Sequence, residues 1–436
     1  MKRAMAICVA GMLATGSAAA TDLMQVYRDA LANDARFAAA RAELAAGQEK
    51  VVQGRAGLLP QIGLGANTTW NDVELRSRGA PSTVEDSYNS NGYSLQLVQP
   101  LFRWQNWVEY KQGELRTALA GAQFELARED LVLRVAEAYF NVLNAEDGLA
   151  AVSQLRTAAS EQLELARTSF EVGTVTITDV HEAQSRYDLA SAQEIAAQNQ
   201  LEVARHALAQ LIGREPGPLA GLREGVELQR PQPDDIAAWV AAAEKGSLGV
   251  QAQEVVREIA IREVERARAG HLPTVDVVAS RGVNNRLQLG SERNELTSIG
   301  LELNMPLFAG GRVSSVSREA AALRMRADAD LEDARRSAAL AARQSWLGVT
   351  SGMAQVRALE AARLSSTSAL DANKLGYEVG VRINIDVLNA QTQLADTLQQ
   401  LASARYETLL AQLRLKAAAG TLGEDDVAAI NALLEP

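Results

Sequence analysis

Long Ala-rich runs, in which apolar residues recur every three or four positions, alternate along the chain with short stretches that switch between apolar and polar at every step. The clearest seam takes positions 180, 183, 187, 190, 194, 197, 201, 204, 208 and 211, which hold Val, Ala, Tyr, Ala, Glu, Ala, Leu, Ala, Leu and Leu. Alternating steps of three and four predict a coiled-coil helix with left-handed supercoiling, broken only at Glu194. The seam returns at Val387, Ala390, Leu394, Thr397, Leu401, Ala404, Thr408, Ala411, Leu415 and Ala418, diluted by two threonines.

That recurrence is one sign of an internal repeat. Gly173 and Gly380, Asp179 and Asp386, and Gly213 and Gly420 are each 207 positions apart, and Pro100 and Pro306 are 206 apart. Prolines fall at 60, 81, 100, 216, 218, 231, 233, 273, 306 and 436, so 101–215 and 307–435 are free of helix breakers. One repeat reads as a helix over 22–57, a strand pair within 60–100, a long helix over 103–172, a tight turn and a returning helix to Gly213. Repeat 1 is thus 21–233, with strands at about 61–76 and 87–99 and a tip at 170–180. Repeat 2 is 234–436, with strands at about 273–289 and 295–305 and a tip at 377–387. The descending helices, at ~1.5 Å per residue, are about twice as long as the returning ones. A helix before each strand pair, stacked end to end on a returning helix, makes up the difference and predicts a rod of paired helices.

The two tips are near-copies: Phe170-Glu171-Val172-Gly173-Thr174-Val175-Thr176-Ile177-Thr178-Asp179-Val180 and Tyr377-Glu378-Val379-Gly380-Val381-Arg382-Ile383-Asn384-Ile385-Asp386-Val387. Each glycine suits the positive φ that ends a helix, so Gly173 and Gly380 reverse the chain. Thr176 and Asn384 are the expected caps of the returning helices, and Asp179 and Asp386 fall in their first turns, where free N–H groups favour negative charge.

In the strand segments, Ile62, Leu64, Ala66, Thr68 and Trp70 oppose Gln61, Gly63, Gly65, Asn67 and Thr69, and Ile299, Leu301, Leu303 and Met305 oppose Ser298, Gly300, Glu302 and Asn304. One apolar and one polar face suits a strand between lipid and water, and about ten residues suffice for a tilted span. It suits equally a soluble sheet half-buried on helices. Four strands do not close a barrel, so a membrane reading requires an oligomer: two copies give eight strands that fill their own interior, three give twelve and begin to leave a passage.

Composition narrows the classes. Residues 1–20 have a basic head (Lys2, Arg3), an apolar run and Ala18-Ala19-Ala20, the pattern of a secretory signal peptide cut after Ala20. Without that leader, 41 basic side chains face 54 acidic ones, a net charge of −13 that argues against a nucleic-acid partner. The single cysteine, Cys8, lies within the leader. No nucleophile motif, phosphate loop or metal-ligand cluster stands out: His181, His206 and His271 are scattered, and Gly310-Gly311 reads as a bend. We therefore expect no enzyme activity, no cofactor and no metal.

The double tip, the strand starts Leu58-Leu59-Pro60-Gln61 and His271-Leu272-Pro273-Thr274, and the strand ends Gln99-Pro100-Leu101-Phe102 and Met305-Pro306-Leu307-Phe308 resemble the TolC family of outer-membrane channel proteins. So does the stretch Gly376-Tyr377-Glu378-Val379-Gly380. The resemblance covers essentially the whole mature chain. It implies a mainly α protein with a membrane β-barrel: a homotrimer whose twelve strands form a barrel in outer-membrane lipid, continued by a twelve-helix tunnel into the periplasm. It further implies a passive exit duct for efflux or type I secretion, its tips meeting a periplasmic adaptor and an inner-membrane transporter, of ABC or other type. Thr178, Asp179, Tyr377, Arg382 and Asp386 match the positions that narrow and gate the pore in that family, and Val172, Gly173, Val379 and Gly380 form the turns offered to the partner. Where the family pattern often carries a second acid, this chain has Asn389. The rival reading is a periplasmic adaptor or other coiled-coil scaffold, with the same hairpins and soluble strands.

Overall fold

The computed structural model describes residues 20–75, 84–223, 225–286 and 292–435. All of the expected signal peptide but its last residue lies outside them. The described elements are helices α1 (Leu23–Asn33) and α2 (Ala35–Ala56), strands β1 (Gln61–Leu75) and β2 (Val84–Phe102), and helices α3 (Trp104–Glu171), α4 (Ile177–Ile212), α5 (Ile236–Gly246) and α6 (Leu248–Arg268). Strands β3 (Thr274–Asn285) and β4 (Arg293–Asn304) follow, then helices α7 (Arg312–Glu378), α8 (Asn384–Ala418) and α9 (Glu424–Asn431). They fall into two compact units. One comprises Met1–Ala38, Ala127–Ala243 and Ala339–Pro436, the other Ala39–Leu126 and Glu244–Ala338.

Two expected helices are broken. Residues 22–57 divide at Asp34, whose backbone leaves the helix at φ −65° and ψ 120°. Its carboxylate accepts the Phe37 N–H at 2.7 Å and two hydrogen bonds from Arg134 at 2.9 and 3.1 Å, so capping a new helix replaces continuation of the old one. The helix expected before the second strand pair likewise divides after Gly246, at Ser247.

In the first unit, α1 lies beside the C-terminal end of α4. Gly213 there takes φ 72°, a Cβ on it would lie 3.0 Å from the Asn33 side chain, and Arg214 donates to Asp29 at 3.1 Å. Tyr27, Tyr139 and Phe140 are fully buried, the Tyr139 hydroxyl donates to the Ala220 carbonyl at 2.8 Å, and Phe140 stacks on Tyr406 at 5.5 Å. The seams are present in both hairpins. Ala183, Ala190, Leu201 and Leu208 are buried in α4, and Val387, Thr397, Leu401, Ala404, Thr408 and Leu415 in α8. Glu194, the expected break, is filled by an ion pair with Arg156 at 3.2 Å. The two threonines keep their hydroxyls satisfied within the helix, on the carbonyls of Gln393 and Ala404 at 2.7 and 2.6 Å.

The second unit holds one antiparallel sheet in the order β1-β2-β3-β4. Pro100 does not end β2; the strand passes it to Phe102 through a register shift, the kind of irregularity at which a residue without an N–H is tolerated. Strand β3 is described to Asn285, after which Arg286 turns to φ 52° and its N–H reaches the Glu292 carbonyl at 3.0 Å; the last expected strand positions, 287–289, lie outside the described residues. The apolar face is bare: Ile62, Leu64, Trp70, Ile299 and Leu301 are 67, 75, 79, 81 and 68% exposed. A soluble sheet would bury those side chains on its own helices, and this one does not. Among the described residues no helix is long and apolar enough to cross a membrane.

Candidate functional site

The two tips belong to the first unit and are built alike. At the first, the Gly173 N–H bonds to the Phe170 carbonyl at 2.9 Å and the Thr174 N–H to the Ser169 carbonyl at 2.9 Å. At the second, Gly380 bonds to Tyr377 at 3.1 Å and Val381 to Gly376 at 2.8 Å. This double bond pattern closes a helix on a left-handed residue, and the glycines sit at φ 78° and 76°. A Cβ on either would meet nothing within 4 Å, so the backbone angle and not lack of space requires glycine. Gly376 is the reverse case: a Cβ there would lie 2.7 Å from Cγ of Arg382, whose stem folds over it.

The returning helices start differently. Thr176 precedes α4, and both its N–H and its hydroxyl donate to the Asp179 carboxylate at 2.8 Å. In the second repeat the equivalent position is Ile383, which has no side-chain acceptor; Asn384, the expected cap, is the first residue of α8. Asn384 is instead buried, and its Oδ1 has no partner among the described residues. Asp386 reaches back to the Ile383 N–H at 3.5 Å and pairs with Arg382 at 3.6 Å.

Within one chain the structure therefore joins Arg382 to Asp386 but leaves Asp179 bonded to its own turn. Thr178 is exposed and Tyr377 half-buried. Val172 and Val379 are 71 and 65% exposed, and Val381 and Ile383 extend the second apolar tip. Asn389 lies one turn beyond Asp386, where its Oδ1 accepts a hydrogen bond from Arg186 of α4 at 3.1 Å. Arg186 was not among the residues singled out in the sequence. Its signal there is faint, a lone cation beside Tyr187 on the seam, and its partner is 203 positions away. Among the described residues no group of His, Cys, Asp or Glu is arranged to hold a metal.

A model of the outer membrane efflux protein family matches residues 26–214 and 239–421. The chain belongs to the outer membrane efflux protein family. As a member of that family it is 34% identical to the outer membrane protein TolC of Escherichia coli K12, over 96% of this chain and 86% of that one. It is 33% identical to the proteases secretion protein PrtF of Dickeya chrysanthemi, over 98% and 94% of the two chains. Among solved structures, the Campylobacter jejuni CmeC outer membrane channel matches with a TM-score of 0.80 at 17% identity, covering 94% of this chain and 89% of that one. The outer membrane protein VceC of Vibrio cholerae matches with a TM-score of 0.77 at 21% identity, covering 91% and 96%. At those identities the likeness speaks for the fold, and the fold is that of the outer membrane efflux proteins.

Proposed function

We propose that the protein is a passive exit duct of the outer membrane for an efflux or type I secretion system, assembled from three copies and gated at its helical tips. The observation that carries this is the sheet: its apolar side chains are bare, and β1 and β4 have no strand on their outer sides among the described residues. An open edge in lipid leaves backbone groups unpaired, so copies must close the sheet on one another, and twelve strands are the smaller closure that leaves a passage. The family supplies the cellular setting, since its relatives include outer membrane and secretion proteins. Under this reading the exposed tips around Val172, Gly173, Val379 and Gly380 meet a periplasmic adaptor, with an inner-membrane transporter, ABC or other, behind it.

Asp386, Arg382, Asp179, Thr178, Tyr377 and Asn389 form the constriction. Three Asp386 carboxylates around one axis attract a multivalent cation. Asn389 removes the second acidic ring, so cation block is weaker than in a channel with two.

The experiment is chemical crosslinking and planar-bilayer recording of the mature protein purified in detergent. Three copies, a steady conductance, and cation block lost in Asp386→Ala are expected. A monomer that stays in solution without detergent and passes no current would overturn the reading in favour of an adaptor or scaffold.

A further inference from the structure

Arg186 and Asn389 are the one place where α4 and α8, the returning helices of the two hairpins, exchange a side-chain bond among the described residues. Further along α8, the ties run to α3 instead: Tyr406 donates to Asp147 at 2.7 Å, and Arg414 lies 3.8 Å from Glu137. The hairpins' other polar contacts near the tips are internal. Arg167 donates to Gln184 at 2.6 Å within the first hairpin, and Arg382 pairs with Asp386 within the second. The Arg186–Asn389 bond does not follow from the repeat. The counterpart positions are Gln393 and Glu182, and Gln393 donates to Thr397 of its own helix.

We propose that Arg186 is a gating residue of this chain: its guanidinium, held by Asn389, bolts the first hairpin to the second one turn inside Asp386. The inference rests on the duct reading for its meaning and on the α4–α8 bond for its substance. Opening the tip by moving one hairpin against the other must break this bond. Because the acceptor is a neutral amide at an exposed site, the bolt is weak by design: it holds the resting state without demanding much of a docking partner. An exposed bond of this kind shifts a closed-to-open ratio by about two- to five-fold. Asparagine at 389 thereby does two things, removing an acidic ring and leaving Arg186 an acceptor weaker than a carboxylate.

The test compares Arg186→Ala, Asn389→Ala, the double variant and Asn389→Asp in bilayers, with Arg382→Ala as a control at the tip. Each alanine variant should raise the open fraction about two- to five-fold, the double should add nothing beyond the larger single effect, and Asn389→Asp should lower it by a similar factor. A merely structural role would move melting and leave Asn389→Asp without effect. An open fraction unchanged in Arg186→Ala while Arg382→Ala raises it would overturn the bolt and leave the duct standing.

A second measurement does not depend on conduction. The mature chain has no cysteine, so spin labels at Leu189→Cys and Asp396→Cys, exposed positions one repeat apart, report the separation of α4 and α8. Arg186→Ala should lengthen or broaden that distance. An unchanged distribution would reject the bolt even if the protein passed no current, and absence of current with a lengthened distance would count against the duct alone.

Discussion

Where the sheet meets the helices, Arg103 and Asp276 form a two-pronged ion pair, Nε to Oδ1 at 2.8 Å and Nη2 to Oδ2 at 2.6 Å. Asp276 is only 6% exposed and pairs in register with Pro100, which has no N–H to offer. The repeat does not reproduce this joint: the second junction passes through Gly310 and Gly311 at φ 60° and 81°. Replacing Arg103 by alanine leaves a buried carboxylate without its cation. Breaking a buried pair from one side costs ~3–5 kcal/mol, and because the Arg103 side chain is 38% exposed we expect the lower end, about 3 kcal/mol. Asp276→Asn alone should cost about 1–2 kcal/mol, since it removes the charge that needed compensation. The double variant Arg103→Ala with Asp276→Asn should then be more stable than Arg103→Ala alone. Equilibrium urea unfolding of the four proteins in one detergent gives the coupling, expected to be at least ~1.5 kcal/mol. Additive single effects, with no recovery in the double variant, would refute the claim that an uncompensated buried charge is what makes the loss large.

Other outcomes follow from the helical parts. Burial raises the Glu129 carboxyl from 4.5 to about 7, and its Oε1 has no partner among the described residues. A carboxyl raised by folding costs stability as pH climbs through about 7, so Glu129→Gln should gain about 1–2 kcal/mol at pH 8, discounted for residual solvent access, and nothing near pH 4. Hydrogen bonding from Arg134 holds the Asp34 carboxyl below its ordinary range, with the Phe37 N–H assisting against burial. That contribution is present above the ordinary carboxyl range and lost as pH falls through the lowered folded value; Asp34→Asn should cost about 2 kcal/mol at neutral pH and least in acid, read by melts across pH. At the tip, Gly380→Ala should cost about 1–2 kcal/mol through backbone strain alone. Gly376→Ala should instead displace Arg382 and raise bilayer conductance, with little change in melting.

What periodicity can carry was legible. The seams of α4 and α8, the glycine-closed tips and the alternating strands each depend on residues a few positions apart, so the amino-acid order contains nearly the whole cause. The repeat spacing extended that reading to architecture. It failed where local chemistry offered a second choice. Asp34 caps a new helix with the help of an arginine 100 positions away, and Asn384, one position too late to cap α8, is buried in it.

The sequence by itself determined the element types, the internal repeat and, through its motifs, the family. Only the tertiary structure decided that the apolar strand face is bare rather than packed on the chain's own helices. It alone brought Arg103 to Asp276 and Arg186 to Asn389, pairs separated by 173 and 203 positions. A side chain's preference for helix or strand is set by its neighbours along the chain. Its partner across space is set by how whole helices and strands pack, and no spacing rule in a single sequence encodes that.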